Sequence, residues 1–193
     1  MKRYFLILLF EPESKKRIQE LGSDFADDYG GNLDFARDSL HFTFVDFYLP
    51  DSPASNRIHG DVIEEIGSIA GDTSRLSLSL AGLWARTSER RKTRGLSWIV
   101  DKSDDLMDLR RKILQKLEDK KEIGINWSDP DIWIPHVFFL DDIDFKKEGF
   151  IKMNGELVKP FEAKLDGFIV DTLLLSSLNG PDRYSVVEKW NLK

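Results

Sequence analysis

The chain carries three histidines, at positions 41, 59 and 136, and two of them open apolar segments of strand length. These are His41-Phe42-Thr43-Phe44-Val45-Asp46-Phe47 and His136-Val137-Phe138-Phe139-Leu140. The ordinary pKa of imidazole lies near neutrality, so two such rings can divide acid-base work at one centre, one accepting a proton while the other gives one up. Side chains alternate along an extended chain, which sets His41 and Thr43 on one face and Phe42 and Phe44 on the other. The same alternation groups His136 with Phe138 and opposes them to Val137 and Phe139. Taken singly, each histidine reads as a partly buried strand residue with a satisfied hydrogen bond. Taken together they lie 95 positions apart, each after a strand and a helix, as expected of two similar halves that each supply one side of a cleft. His59 follows Asn56-Arg57 at an expected helix start, has no partner pattern, and reads as solvated surface.

The elements that must position these residues are legible in the apolar spacing. Tyr4 to Phe10 is a continuous apolar run of strand length, and after Pro12 the residues Ile18, Leu21 and Phe25 recur at helical spacing. Gly30-Gly31-Asn32 marks a loop before the His41 strand, which Pro50 and Pro53 close. A second helix is expected over Arg57 to Ala70, with Ile58, Val62, Ile66 and Ile69 on one side. Leu76 to Leu80 alternates strictly, and Leu96 to Val100 follows as the other arm of a hairpin with a long basic loop from Arg86 to Arg94. Ser103 can cap a helix carrying Leu106, Leu109, Ile113, Leu114 and Leu117, with Lys120-Lys121 near its last turn and Gly124 at its end. A loop with Trp127, Pro130 and Pro135 leads to the His136 strand. Asn154-Gly155 marks a short turn, and Phe168 to Leu175 and Tyr184 to Trp190 read as closing strands around Asn179-Gly180-Pro181. Strands and helices without strict alternation favour an α+β fold with antiparallel pairs.

Composition removes several function classes. With 193 residues, 41% hydrophobic and 32% charged, the chain has globular composition, and a single unit over residues 1–193 is expected. It contains no cysteine, so disulfides and thiolate metal sites are excluded. Lys2-Arg3 before an apolar run resembles a signal peptide, but the run is short and meets Glu11-Pro12 rather than small residues, so a cytoplasmic protein is expected. No apolar stretch approaches the roughly 20 residues that span a bilayer, and no membrane partner is expected. A net charge of −6 argues against coating nucleic acid through a broad basic face, yet leaves a short or terminal phosphate ligand open. There is no glycine-rich phosphate loop ending in Lys-Ser/Thr and no Gly-x-Ser-x-Gly turn. The acid pairs Asp27-Asp28, Asp104-Asp105 and Asp141-Asp142 have no accompanying histidine cluster and read as solvated, so no metal or other cofactor is expected.

The two histidine segments, with what surrounds them, resemble the two-histidine phosphoesterases, especially the bacterial branch historically called 2′-5′ RNA ligases and the RNA cyclic phosphodiesterases. That family carries two His-x-Thr/Ser-x motifs. His41-Phe42-Thr43-Phe44 matches the first fully, and Pro135-His136-Val137-Phe138-Phe139 matches the second in its opening. The first strand ending in Glu11-Pro12, the strand from Leu96 to Asp101 before a leucine-rich helix, and the closing Val170 to Ser177 and Tyr184 to Leu192 also sit where the family has them. The resemblance implies two pseudo-symmetric lobes, each an antiparallel sheet with helices outside, and a central cleft. It implies metal-independent cleavage of a 2′,3′-cyclic phosphate or a 2′-5′ linkage in RNA or nucleotides, with His41 and His136 as the acid-base pair and Thr43 as phosphate anchor.

The departure is Phe138, which stands where the second motif supplies Thr or Ser. Removing a comparable donor to developing negative charge costs roughly 10²–10³ in rate. Phe138 is therefore expected to touch a ribose or base, or another donor takes the vacant place. A module that binds a nucleotide or RNA end without cleaving it is the alternative, and a scaffold that has lost its ligand is a third. Arg86, Arg90, Arg91, Lys92 and Arg94 concentrate positive charge at the hairpin, either as a solvated tip or as a flap drawing a polyanion to the cleft, and Arg90, Arg91 and Arg94 are assigned to substrate binding. Trp133 and Tyr48 are candidates for stacking on bases, as is Trp98, although its alternating strand points to the core. A monomer with a nucleotide or short RNA as its partner is the expectation.

Overall fold

The computed structural model describes residues 1–30, 32–33, 40–50, 55–87, 94–126, 129, 133–141, 143, 149–153, 156–178 and 184–193. At 32, 33, 41, 55–58, 86, 87, 94, 141, 153 and 184 it describes the backbone alone. In chain order the elements are β1 (Lys2–Phe10), α1 (Pro12–Tyr29), β2 (Asn32–Leu33), β3 (His41–Leu49), α2 (Ser55–Gly71), β4 (Leu76–Thr87), β5 (Arg94–Val100), α3 (Asp104–Glu118), β6 (Gly124–Asn126), β7 (His136–Asp141), β8 (Ile151–Met153), β9 (Glu156–Leu178) and β10 (Tyr184–Asn191). Every strand pair is antiparallel, giving the expected α+β class. Among the described residues no helix is long and apolar enough to cross a membrane.

The sheet runs β2-β7-β5-β4-β9-β1-β3-β6, with β8 and β10 added along β9. That order reads the same from either end once the segment β1-α1-β2-β3 is matched to β5-α3-β6-β7. β1 then corresponds to β5, β3 to β7, β2 to β6 and β9 to β4, with the pseudo-two-fold between β4 and β9. The irregularities repeat as well. The β1–β3 ladder slips between Leu6 and Ile7, leaving Phe44 as the extra residue, and the β5–β7 ladder slips between Leu96 and Ser97, leaving Phe139. A second pair of bulges lies opposite Leu9/Phe10 and opposite Ile99/Val100. Even the exits match, for Glu11 N donates to the Ile169 carbonyl at 3.0 Å and Asp101 N to the Ser79 carbonyl at 2.8 Å. The two halves share one hydrogen-bonded sheet through β4 and β9, rather than each closing a sheet of its own.

The halves also exchange parts. β2 pairs with β7 and β6 with β3, so each short strand borders the other half's histidine strand. The helices follow the strands. Phe25 of α1 packs edge-on against Trp98 of β5 at 4.9 Å and near Phe139 of β7, while α3 lies against β3 and α2, and Lys120 just past its end pairs with Glu65 of α2. On α3 the expected Leu106, Leu109, Ile113, Leu114 and Leu117 are all buried, and Ser103 Oγ accepts from Leu106 N at the cap. Arg110 is also buried on that face, its guanidinium 4.2 Å from the centre of the Trp133 ring. Trp98, the largest fully buried side chain, stacks on Phe139 at 4.3 Å, so it is core and not a platform for bases.

β9 is the main departure from the apolar spacing. A turn and a strand beginning at Phe168 are expected, yet one strand of 23 residues runs from Glu156 through Pro160 and Gly167. Two glycines make this possible. Gly167 takes φ +80°, a left-handed conformation that accommodates the slip between Leu78–Phe168 and Leu80–Leu165. At Gly82 an added Cβ would lie 2.6 Å from the Lys159 carbonyl oxygen, so the absence of a side chain lets β4 approach Pro160. Asn154-Gly155 and Asn179-Gly180-Pro181 lie outside the described residues, the first between β8 and β9, where Met153 pairs with Glu156.

Candidate active site

β7 starts at His136 because Pro135 ends the preceding segment and its carbonyl accepts from Val100 N at 2.9 Å, docking the strand on β5. Val137 and Phe139 point into the helix-covered core and are fully buried, so His136 and Phe138 belong to the opposite face and are half-buried. His136 Nδ1 lies 2.8 Å from the Ile134 carbonyl oxygen. A carbonyl only accepts, so Nδ1 carries the proton and the neutral ring is held as the Nδ1–H tautomer, which assigns proton exchange to Nε2. The ring's orientation is fixed from the side by Trp84, edge-on at 4.7 Å, whose own indole N–H donates to Glu156 at 2.9 Å.

β3 holds the matching positions. His41 pairs with Leu9 as His136 pairs with Ile99, and Thr43 pairs with Ile7 as Phe138 pairs with Ser97. Phe42 and Phe44 are buried and Thr43 is half-buried, as the alternation predicts, while the side chain of His41 lies outside the described set. In both strands the bulged phenylalanine is the fourth position of the motif, at Phe44 and Phe139, where a bulge re-aims the neighbouring side chains. Although four strands separate β3 and β7 in the sheet, the sheet curls enough for the two to pack together, with Phe44 edge-on to Trp133 at 6.0 Å.

Phe138 is packed against its neighbours. Its Cε2 lies 2.6 Å from where a Cβ on Gly95 would be, so the ring covers the bare backbone of β5. Arg90 and Arg91 lie outside the described residues, and Arg94 is described only as a backbone position of β5 opposite Thr87. Trp133 is buried beneath Arg110 and against Phe44, which removes it as an open stacking platform. Tyr48 stays half-buried beside Arg3. His59 corrects the expectation of a solvated surface residue. It is half-buried against Tyr4 at 5.2 Å, its Nε2 is buried without a hydrogen-bond partner among the described residues, and burial, with the Lys2 charge, lowers its pKa.

A polar cluster that the histidine motif does not include lies further along β3, beyond the bulge. Asp46 is fully buried, and Arg3 meets it with two hydrogen bonds, at 3.0 Å through Nε and 2.5 Å through the terminal nitrogen. Asn126 of β6 donates to the same carboxylate at 2.9 Å. The signal for it was a carboxylate inside an aromatic strand, which only a charged, hydrogen-bonded partner makes tolerable. By register Asn32 faces Asp141 as Asn126 faces Asp46. Ser97, opposite Phe138, also went unnoticed in the sequence. It is fully buried and its Oγ has no hydrogen-bond partner among the described residues.

No protein-family model and no curated protein sequence matches the chain. Solved structures do match it. Ligand-free E. coli LigT superposes with a TM-score of 0.57 at 18% identity, covering 99% of this chain and 97% of that one. The protein TT0787 of Thermus thermophilus gives 0.62 at 16% identity, over 98% and 97% of the two chains. E. coli LigT complexed with 3′-AMP gives 0.54 at 17% identity, over 99% and 98%. Along nearly its whole length the chain therefore has the LigT fold, which the resemblance in sequence led one to expect.

Proposed function

We propose that the protein is a two-histidine phosphodiesterase that opens a 2′,3′-cyclic phosphate, or cleaves a 2′-5′ linkage, in a nucleotide or short RNA, without a metal. The observation that carries this reading is the equivalence of His41 and His136, each the first residue of matching strands, each two positions before a residue of the same face, and each followed by the same bulge. In the reaction water attacks phosphorus, one imidazole accepts its proton at the ring nitrogen facing the phosphate, and the other imidazole, protonated, gives its proton to the departing ribose oxygen. The tie of His136 Nδ1 to the Ile134 carbonyl suits either role, because it fixes which nitrogen handles the proton and stabilises the imidazolium. Thr43 holds a phosphate oxygen as charge builds on it. LigT has been crystallised with 3′-AMP, the product that adenosine 2′,3′-cyclic phosphate gives when the bond to the 2′ oxygen breaks, and we extend that ligand class to this chain.

A second reading, a module that binds such a nucleotide without turning it over, is favoured by Phe138 in place of the second hydroxyl. The two are separated by assaying 2′,3′-cyclic nucleotides and 2′-5′ dinucleotides with wild type, His41→Ala and His136→Ala, with and without a chelator. Turnover that withstands the chelator and disappears in both variants supports the phosphodiesterase. Turnover intact in either variant rules out the paired-imidazole mechanism, and tight nucleotide binding without turnover in wild type selects the module.

A further inference from the structure

Three adjacent strands place Trp84, Ser97 and Phe138 side by side on the face turned away from the helices, with Trp84 opposite Ser97 and Ser97 opposite Phe138. Ser97 is 0% exposed, and its Oγ is one of few buried side-chain polar atoms without a hydrogen-bond partner among the described residues. A hydroxyl in that condition is unfavourable unless something bonds it, and an aliphatic side chain would fill the space without that cost. The other half demonstrates the alternative, since the position matching Ser97 is Ile7 and it faces Thr43. The same two chemical types thus face each other in both halves, with hydroxyl and apolar group exchanged between strands. In one half the motif strand carries the hydroxyl and the inner strand the apolar residue; in the other the motif strand carries Phe138 and the inner strand carries Ser97.

From this exchange we infer that Ser97 Oγ is the phosphate-binding hydroxyl of the His136 half, standing in for the one that position 138 lacks. The inference rests on the phosphodiesterase reading. Directly opposed residues have Cβ atoms about 4.5–5.5 Å apart, so a hydroxyl on β5 reaches much of the space that one on β7 would serve. The surroundings fit a ligand rather than a sealed core. Trp84 and Phe138, the cross-strand neighbours of Ser97, both keep part of their surface in solvent, and Trp84 also contacts His136. The Phe138 ring leans onto bare Gly95, the diagonal neighbour. A phosphate reaches Ser97 when the Phe138 ring swings aside, a side-chain rotation that leaves Trp84 on its Glu156 bond and the strands in place. The same two rings then border the bound group on both sides, with His136 next to it.

The test measures kcat/KM on adenosine 2′,3′-cyclic phosphate, together with thermal stability, for wild type, S97A, F138T and the double variant S97A/F138T. S97A is expected to lower kcat/KM about 10²–10³-fold without lowering Tm, and the double variant to recover most of that loss because the hydroxyl returns on the motif strand. S97A at wild-type activity, or a loss that F138T does not repair, overturns the inference. Should wild type bind without turnover, the readout is the rise in Tm with inorganic phosphate and with 3′-AMP, which S97A must abolish and which an unchanged rise would contradict. Wild type that neither turns over the cyclic nucleotide nor gains stability from either probe overturns the inference and the wider reading together. Activity lost in His41→Ala and His136→Ala but kept in S97A removes this inference alone, while activity kept in the histidine variants removes the reading beneath it.

Discussion

The half of the molecule around His41 and the half around His136 share strand order, bulge positions and exits, yet at several matching positions their side chains have diverged. Leu8 of β1, buried in the core, corresponds to Trp98 of β5, the centre of an aromatic group with Phe25 and Phe139. Thr43 over Ile7 corresponds to Phe138 over Ser97. The histidine is the same residue at its place in both, as are the phenylalanine at the bulge, Phe44 and Phe139, and the Asp–Asn register pairs. A symmetric backbone therefore sets two histidines at equivalent places, and the side chains that differ beside them make the two halves chemically distinct.

The sharpest way to break that comparison is to remove each histidine in turn. His41→Ala and His136→Ala are each expected to lower kcat/KM on a 2′,3′-cyclic nucleotide by about 10²–10⁴-fold, the usual contribution of a general acid or base. Losses of similar size would mean that the halves remain equivalent in function, and a loss in only one would mean that a single half carries the chemistry. Stability gives the next contrast. Trp98→Ala is expected to cost about 3–5 kcal/mol and Leu8→Ala about 2–5 kcal/mol, measured by urea unfolding. Equal losses at the two positions would show that the extra ring adds size without adding packing. Asp46→Ala removes both bonds from Arg3 and the one from Asn126, and because Arg3 remains 34% exposed to water the loss is expected at about 1–3 kcal/mol. Asp141→Ala is its counterpart, and a similar loss there would show that the Asp–Asn pairing recurs in the side chains as it does in the register.

The smallest effect concerns pH. His59 is held neutral by burial and by Lys2, so its folded pKa lies below the ordinary 6.5. A depressed folded pKa on a base means that protonation favours the unfolded chain. The stability from the neutral ring is full above 6.5 and is lost as pH falls from there through the lower folded value. Unfolding of His59→Phe followed from pH 8 to pH 5 should show a shallower decline than wild type, and an identical decline would assign the loss to other groups. Among the described residues of the His136 half none corresponds to it, so this contribution is assigned to the His41 half.

Much of the fold was legible because apolar spacing records which face of an element is covered. The α3 face, the cap at Ser103 and the two histidine strands follow directly from it. β9 was not legible, since Pro160 and Gly167 interrupt strands in most settings, and only the bare Gly82 opposite and a left-handed Gly167 let them sit inside one. Spacing also gave no account of Arg110, a cation in an apolar stripe, because its partner Trp133 is distant in sequence. At the site, the sequence showed which strands carry imidazole and that position 138 had lost its hydroxyl. It could not show Ser97 as the neighbour of that position, because cross-strand register is a property of the folded sheet and is shifted by bulges that leave no mark on composition.

The exchange of β2 and β6 between the halves also bears on motion. A protein whose lobes hang on one linker can open and close around a guest. Here each lobe is stitched to the other at its far margin as well as along the middle, so parting them would tear strand pairs on both sides at once. The placement of β3 relative to β7 is accordingly set by strand pairing at both margins as well as in the middle. Cutting the chain between α2 and β4 should yield pieces that each lack a border strand and a helix cover, able to fold only by finding one another.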